Sequence, residues 1–316
     1  MFNFVFILLF LSSSLLSLKI DKKTLYNELL SHSQIYIDYN QTEDIKTIEN
    51  KPFKANDKRI LGFGYSPNFD VWIKFKLTSS TNHTIYKIIE YSNPLTSYVE
   101  FYEDKKLKKR DGLLNIPTDR ISLNPILKIE LKPHQTKEFY IKAHSKITTL
   151  IIKLNLWDID KFYQKEIINQ ILLALFFGAM GIIILYNSII FLATKELSYL
   201  YYVLFFISVS FHHLLYKGVA SLYIFSQEIM KFLIEYSSFI VALPTIFLAL
   251  FTKEILKLEQ YPRLNRILNY LLITYPIVIT IIHITDMQHY RSIFFIITLL
   301  FLFFTTCYAF FKKNKI

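Results

Sequence analysis

The stretch Ile167–Ala193, IINQILLALFFGAMGIIILYNSIIFLA, is almost uniformly apolar. It is longer than the roughly 20 residues that an α-helix needs to cross a hydrocarbon core about 30 Å thick. Backbone groups in lipid must be satisfied within the protein, so a span is either a helix or a strand of a closed barrel. Barrel strands alternate apolar and polar residues. This stretch does not, and it therefore predicts a transmembrane helix.

Four further apolar stretches follow, so the sequence predicts an α-helical transmembrane bundle of five spans. None of these stretches has the polar face that a surface helix of a soluble protein turns to water. The pattern excludes a soluble protein with buried helices, and it assigns residues 161–316 to a membrane domain. The later predicted spans are Tyr199–Tyr216, Phe232–Phe251, Ile267–Ile284 and Ile293–Phe311.

The basic residues around the spans predict the orientation of the chain. If the region before Ile167 lies outside the cytoplasm, eight Lys and Arg residues fall on the cytoplasmic side and three in the short outer loops. This difference agrees with the positive-inside rule, so we expect an external N-terminal domain and a cytoplasmic C-terminus. The predicted cytoplasmic residues are Lys195, Lys253, Lys257, Arg263, Arg266, Lys312, Lys313 and Lys315, and the outer ones are Lys217, Lys231 and Arg291.

Residues 1–18 predict a secretory signal peptide. The apolar run from Phe4 to Leu18 is too short to span a bilayer comfortably, and it ends among small serines that suit signal peptidase. An uncleaved anchor is the alternative, because no Lys or Arg precedes the run. Either version carries the following segment across the membrane.

Residues 19–160 predict an all-β domain, either a jelly roll or another sandwich. The stretch Val71–Leu77, VWIKFKL, alternates with the period of a half-buried strand. Turn signals such as Asp111-Gly112 separate other short candidates at a spacing typical of these folds. The other candidate strands are Ile35–Tyr39, Ile85–Tyr91, Tyr98–Tyr102, Ile126–Leu131, Glu138–Ala143 and Leu150–Trp157.

The only cysteine of the sequence, Cys307, lies in the predicted fifth span. The exported domain therefore has no disulfide and must be held by its own hydrophobic core. The link from Trp157 to Lys165, which joins this domain to the first span, contains neither Gly nor Pro. Such a link could be stiff, which matters if a signal passes through it.

Trp72 shares one face of its strand with Lys74 and Lys76, opposite the apolar residues of the same strand. An aromatic ring beside two cations could stack on a sugar ring or hold an acidic ligand, so these three residues are candidates for ligand binding. The alternative is a tryptophan that a loop covers, because aromatic strand residues are commonly packed.

Arg120 is a fourth candidate for ligand binding. Its guanidinium could clamp a carboxylate through two hydrogen bonds. The alternative, which we favour, is a structural ion pair with Asp111 or Asp119.

Four ionisable residues fall within the predicted spans: His212, His213, Glu235 and His283. Ionisable groups at membrane depth are costly, so each is a functional hypothesis. Glu235 could form a polar contact or a proton-linked switch with one of the adjacent histidines 212 and 213. A structural hydrogen bond is the alternative role.

The sequence contains no metal-ligand spacing, phosphate loop, nucleophile elbow or paired-carboxylate motif. We therefore expect no metal, no cofactor and no enzymatic activity.

The basic run Lys105–Arg110, KKLKKR, could attract an anionic polymer or a membrane surface, with a solvated hairpin as the alternative. Although the formal net charge is +11, we expect no nucleic-acid binding, because an exported domain without interleaved stacking residues lacks that pattern.

Several motifs, in this order along the chain, resemble those of one bacterial receptor family. In the membrane half they are Gly178-Ala179-Met180-Gly181, Tyr186-Asn187, Ser198-Tyr199-Leu200-Tyr201-Tyr202 and Lys217-Gly218. In the outer half they are Trp72–Leu77, Val99–Tyr102, Gly112 with Pro117 and Arg120, and Leu131–Pro133 followed by Phe139–Lys142. Together they resemble the seven-transmembrane receptors with diverse intracellular signalling modules.

The resemblance implies a receptor in a bacterial inner membrane, embedded in the lipid bilayer. Its periplasmic jelly-roll domain would bind a small molecule, with a fold similar to carbohydrate-binding modules, and its helices would relay the bound state to a cytoplasmic effector. A homodimer is compatible with this class. The sequence departs from the family pattern, because it predicts five spans and ends five residues after the fifth. We therefore expect a truncated form or a chain that signals through a separate effector.

The alternative function is a component of a transporter or channel. Such proteins have helices broken near the midplane of the membrane. Pro244 and Pro276 are the only prolines in the predicted spans, so this alternative has less support than the receptor.

Overall fold

The structure is a computed structural model that describes residues 17–118, 120–146, 148–285 and 291–313. The predicted signal peptide lies almost wholly outside these ranges, as does Asp119. The chain divides into a unit built of strands and a unit built mainly of helices. The first comprises Met1–Gly112, Asn124–Lys146 and Leu150–Phe162, and the second comprises Leu113–Leu123, Ile147–Thr149 and Tyr163–Ile316.

The strands of the first unit form two main sheets and a small pair. The larger sheet has the order β4-β3-β6-β11-β8-β9, with β1 parallel to β6, and the smaller sheet has the order β10-β7-β13-β2. Strands β12 and β5 make the separate pair. The strands are β1 (Leu18–Ile20), β2 (Tyr26–Glu28), β3 (Gln34–Asp38), β4 (Lys54–Ala55), β5 (Leu61–Tyr65), β6 (Asp70–Ser79), β7 (Ile85–Tyr91), β8 (Tyr98–Glu103), β9 (Lys106–Asp111), β10 (Ile126–Leu131), β11 (Thr136–His144), β12 (Thr149–Ile152) and β13 (Leu154–Asp158).

The core of the first unit lies between the two main sheets. Alternation along β6 turns Val71, Ile73, Phe75 and Leu77 inward, and all four are buried. The Phe75 ring stacks on Phe139 of the neighbouring strand at 5.4 Å between centroids. Burial of each such side chain stabilises the fold by about 1.5–3 kcal/mol. The prediction of an all-β sandwich domain is therefore confirmed.

Two stretches differ in detail from the sequence prediction. The predicted strand Leu150–Trp157 is two strands, β12 and β13, separated at Lys153. The basic run forms β9, which pairs with β8 as a hairpin. Its turn residues Asp104 and Lys105 have φ of 46° and 62°, as the two central residues of a type I′ hairpin turn require.

The helices of the chain begin directly after β13. They are α1 (Ile159–Thr194), α2 (Leu197–Tyr216), α3 (Val219–Tyr223), α4 (Gln227–Glu235), α5 (Ser237–Ile255), α6 (Pro262–Ile284) and α7 (Arg291–Lys313). Within the described ranges, four of them (α1, α2, α5 and α6) are long and apolar enough to cross a membrane. The fifth predicted span coincides with α7, whose described apolar part, Phe295–Tyr308, is shorter. The helical membrane domain is confirmed, and within the described residues four of the five predicted spans have the length and composition of a membrane-crossing helix.

The third predicted span, Phe232–Phe251, is wrong as a single helix. The chain leaves helical geometry at Tyr236, where ψ is 18°, so α4 ends at Glu235 and α5 begins at Ser237. The hydroxyl of Ser226 caps the start of α4 by accepting the backbone N–H of Ile229. Helix α4 is amphipathic rather than uniformly apolar, and that pattern is typical of a surface helix and not of a span.

Candidate functional site

The face of the larger sheet that points away from the core carries a covered aromatic cluster. Trp72 is fully buried there, with its ring 5.7 Å from that of Tyr102. Ile48 and Phe53, from the segment that precedes β4, pack against the same cluster. Trp72 is therefore not a surface for sugar stacking. Its prediction as a ligand-binding residue gives way to the alternative, a tryptophan covered by a loop.

Lys74 and Lys76 share this face with Trp72, as the alternation along β6 predicts. Each Nζ lies 3.4 Å from Oε1 of Glu138 on the adjacent strand. The Lys74 ammonium also lies 5.2 Å from the centroid of the Tyr140 ring, a distance at which a cation is attracted to an aromatic face. Both lysines thus contribute to a cross-strand network.

At one end of the same face, a charged group connects the sheet to the segment that covers Trp72. Asp70 is buried, with Oδ2 2.8 Å from Lys142 Nζ and Oδ1 2.9 Å from His144 Nδ1. Lys142 also donates to the carbonyl of Glu43 in the covering segment, at 3.3 Å. Burial by itself would raise the pKa of Asp70, but the hydrogen bonds from His144 and Lys142 outweigh it and lower the pKa.

We expect this group to make the stability of the first unit sensitive to acid. A carboxyl whose pKa is lowered by folding stabilises the fold above its unfolded pKa, about 3.9, and that contribution is lost as the pH falls through the folded pKa. We expect Asp70→Asn to be less stable than the parent at neutral pH and to lose less stability below about pH 4. Urea unfolding over a pH series measures this. Asp57→Asn, at an exposed position, is the control. If the free energy of unfolding of Asp70→Asn fell with pH as steeply as that of Asp57→Asn, this expectation would be contradicted.

Arg120 lies inside its own loop. Its buried guanidinium donates from Nε to the carbonyl of Ser122 at 2.9 Å and from a second nitrogen to the carbonyl of Leu123. These bonds close the loop Leu113–Leu123, which supports the structural alternative over a carboxylate clamp. Of the two partners considered from the sequence, Asp119 lies outside the described residues, and Asp111 has Oδ2 3.5 Å from Lys109 Nζ.

The intramembrane histidines pack against aromatic rings. His213 Nδ1 lies 3.0 Å from the carbonyl of Val209, and its ring is 5.4 Å from Phe176. The ring of His212 stacks on Tyr216. The ring of His283 packs against two aromatic residues, Tyr236 and Phe239, at 5.3 Å from each.

The predicted contact of Glu235 with one of these histidines is wrong. Glu235 is exposed at the end of α4, and in the part of the chain that the structure describes it makes no hydrogen bond or ion pair. The physical reason is the break at Tyr236: α4 ends at Glu235, so this carboxylate lies at a helix terminus instead of inside a span.

A cleft of about 360 Å³ opens between the β8–β9 turn and the β10–β11 turn. This volume is within the range of small-molecule sites. Sequence reasoning found only part of it, the lysines of the basic run, because the other wall comes from a separate hairpin, formed by β10 and β11. The cleft is lined by Glu103, Asp104, Lys106, Lys108, Glu130, Lys132, Gln135 and Lys137.

The passage from β13 to α1 is a second feature that the sequence did not reveal in full. The predicted link has no loop: β13 ends at Asp158 and α1 begins at Ile159. Phe162, in the first turn of the helix, is fully buried against Ile88 of β7 and Ile126 of β10. We call this region, residues 157–162 with their partners in β7 and β10, the strand–helix junction.

Buried charges flank the strand–helix junction. Lys87 is 1% exposed, and its Nζ lies 3.0 Å from Asp158 Oδ2 and 2.8 Å from the carbonyl of Thr24. Glu90, on the same strand, accepts a hydrogen bond from Trp157 Nε1 at 2.7 Å. Charges are buried in proteins when they are paired. The sequence signal was the presence of Lys and Glu in an otherwise apolar strand.

Two family models match the chain, one for each half. Residues 169–316 match the model described as 7TM diverse intracellular signalling, and residues 31–158 match the model described as 7TMR-DISM extracellular 2. The chain belongs to this receptor family. The resemblance seen in the sequence motifs is confirmed, and the protein is a receptor-type membrane protein with an extracellular N-terminal domain.

Comparison of this receptor with curated proteins gives no match. Among solved structures, a β-glucosidase from Kluyveromyces marxianus in complex with glucose is 12% identical, with a TM-score of 0.26 over 38% of this chain and 15% of that chain. The α-xylosidase of family GH31 from Xanthomonas citri is 14% identical, with a TM-score of 0.23 over 40% and 13%. A family 35 carbohydrate-binding module from Clostridium thermocellum is 10% identical, with a TM-score of 0.22 over 42% and 98%. Structural similarity at TM-scores this low does not indicate which ligand the receptor binds.

Proposed function

We propose that this receptor binds a small molecule with its extracellular domain and passes the bound state to its helices through the strand–helix junction. The observation that carries the proposal is the position of Phe162. Its side chain belongs to the first turn of α1, yet it is buried between β7 and β10. A displacement of these strands relative to each other changes the packing of Phe162 and so acts on the helix.

A ligand shifts such a system only if it binds the two arrangements of the strands with different affinity. Because β13 pairs with β7 along the register Trp157↔Ile88, the last strand before the helix is hydrogen-bonded to one wall of the Phe162 site. Protein cores are close-packed and respond to strain by discrete repacking. The junction therefore provides a contact through which a change in the sheet reaches α1.

We place the receptor in a bacterial inner membrane, with its C-terminus in the cytoplasm and a separate effector as its partner. The loop charges support this orientation, which takes α7 (Arg291–Lys313) as a fifth span. The proposal is binding without catalysis. The transporter alternative needs helices broken near the midplane, whereas α5 and α6 continue through Pro244 and Pro276.

The proposal is tested with the full chain in lipid nanodiscs. Sugars and organic acids are screened for those that raise the unfolding temperature of the extracellular domain. Hydrogen–deuterium exchange of the peptides covering Leu154–Lys165 is then measured with and without each hit. We expect a bound ligand to change exchange there. A ligand that stabilises the domain and leaves the exchange of these peptides unaltered would contradict the relay.

Lys87→Met should lower the free energy of unfolding of the extracellular domain and weaken the relay of the bound state through the strand–helix junction. The substitution keeps much of the side-chain volume but leaves Asp158 and the Thr24 carbonyl without their ammonium donor, at a cost of about 1–3 kcal/mol. Urea unfolding measures the loss, and the exchange of Leu154–Lys165 measures the relay. Lys58→Met, at an exposed position, serves as the control and should change the free energy of unfolding by about 0.5 kcal/mol or less.

A further inference from the structure

We infer that the cleft between the β8–β9 and β10–β11 turns binds a small organic anion with at least two acid groups, such as a dicarboxylate or tricarboxylate. The inference rests on the proposed function as a small-molecule sensor and specifies its ligand class. It concerns a different surface from the face of Trp72 that the sequence indicated.

The lining of the cleft points to a charged ligand. Each of the residues that line it has a charged or amide side chain, and none is aromatic or aliphatic. Sites for apolar ligands are lined mainly by apolar and aromatic side chains. A flat sugar ring likewise has no aromatic side chain in this lining on which to stack.

The ion pairs inside the cleft leave an excess of positive charge. Glu103 is paired with Lys137, which also donates to the carbonyl of Glu130 at 2.7 Å. Asp104 uses Oδ1 to accept the backbone N–H of Glu138 at 3.0 Å. One of the three acids, Glu103, is therefore neutralised by a lysine, while Asp104 keeps its charge and accepts a backbone hydrogen bond.

Three lysines remain for a ligand. Within the described ranges, Lys106 and Lys132 make no ion pair, and Lys108 lies 3.7 Å from a Glu103 carboxylate that is already bonded to Lys137. Two acids oppose them: Asp104, whose Oδ1 accepts a backbone N–H, and Glu130, which is exposed to solvent. Ammonium groups that converge on one cleft are suited to charge-assisted hydrogen bonds with carboxylate oxygens.

The positions of these lysines explain why the ligand needs two acid groups. Lys106 and Lys108 belong to β9, at the edge of the larger sheet, and the register shift in the β8–β9 pair leaves Lys108 without a cross-strand partner. Lys132 follows β10, at the edge of the smaller sheet. A ligand with an acid group at each end can bond both edges at once, whereas a monoanion can bond one.

The test measures binding of citrate and succinate to the full chain in detergent micelles by calorimetry at constant ionic strength, with glucose as a neutral comparison. We expect citrate to bind the parent chain. Lys106→Gln and Lys132→Gln should each weaken binding about tenfold, the loss expected for one charge-assisted hydrogen bond. The controls Lys46→Gln and Lys54→Gln, at exposed positions elsewhere, should bind citrate like the parent.

Two results would overturn the inference: no binding of either acid to the parent chain, or unchanged affinity in both cleft variants. The sensor proposal is judged separately, by exchange at the strand–helix junction. Citrate binding that is lost in Lys132→Gln without any change in junction exchange would support the cleft and contradict the relay. A sugar that changes junction exchange while neither acid binds would contradict the cleft and support the relay.

Discussion

Gly112→Ala should strongly destabilise the extracellular domain, although the substitution adds only one carbon atom. Gly112 has φ of +126°, and a Cβ at this position would lie 2.5 Å from the carbonyl oxygen of Ser97 and 3.0 Å from that of Thr96. Both neighbours are backbone atoms of fully buried residues, so neither can turn aside. The left-handed conformation and the overlap together should cost about 2–5 kcal/mol.

The measurement is urea unfolding of the full chain in micelles, followed by tryptophan fluorescence. The two tryptophans, Trp72 and Trp157, both lie in the first unit, so the signal reports on that unit alone. Gly62→Ala is the matched control, because no atom lies within 4 Å of its added Cβ. We expect Gly62→Ala to change the free energy of unfolding by about 1 kcal/mol or less. Equal midpoints for the two variants would show that Gly112 is not conformationally required.

Phe162→Ala should destabilise the extracellular domain although the residue belongs to the first membrane-directed helix. The fully buried ring fills the space between Ile88 and Ile126. Truncation of a buried phenylalanine removes its transfer free energy and leaves a cavity, at a cost of about 3–5 kcal/mol. The same tryptophan signal measures the loss, because Trp157 packs against this cluster.

The neighbouring Tyr163 provides the control for this prediction, since its side chain is 36% exposed. Tyr163→Ala should cost much less than Phe162→Ala, and Phe162→Leu should fall between them because it leaves a smaller cavity. If Phe162→Ala and Tyr163→Ala were equally stable, the first turn of α1 would not be part of the domain core. The proposed relay through the strand–helix junction would then lose its physical basis.

Elements with a strong local pattern were predictable. The alternation along Val71–Leu77 set which side chains enter the core, and β7 and β10 were predicted with the bounds that the structure has. The apolar stretches likewise predicted α1, α2 and α6. These predictions succeeded because the alternation of a strand and the uniform apolarity of a span each depend on the residues within one segment.

Two predictions were wrong for a different reason: the third span as a single helix, and Trp72 as a ligand-binding residue. Phe232–Phe251 has the composition of one span, but the backbone bends at Tyr236, and composition does not encode a single break in a helix. Trp72 was correctly placed on the outer face of its strand. Its burial depends on Ile48 and Phe53, which lie about twenty residues earlier in the chain.

The amino-acid sequence by itself determined the division into an external sheet domain and a helical membrane domain, and the family to which the receptor belongs. Only the tertiary structure decided which charged residues meet. The cleft between the β8–β9 and β10–β11 turns combines two separate hairpins, and the pocket for Phe162 combines β7 and β10 with the first turn of α1. Strand pairing and sheet packing bring these residues together, and both are set by the free energy of the whole core instead of any local pattern.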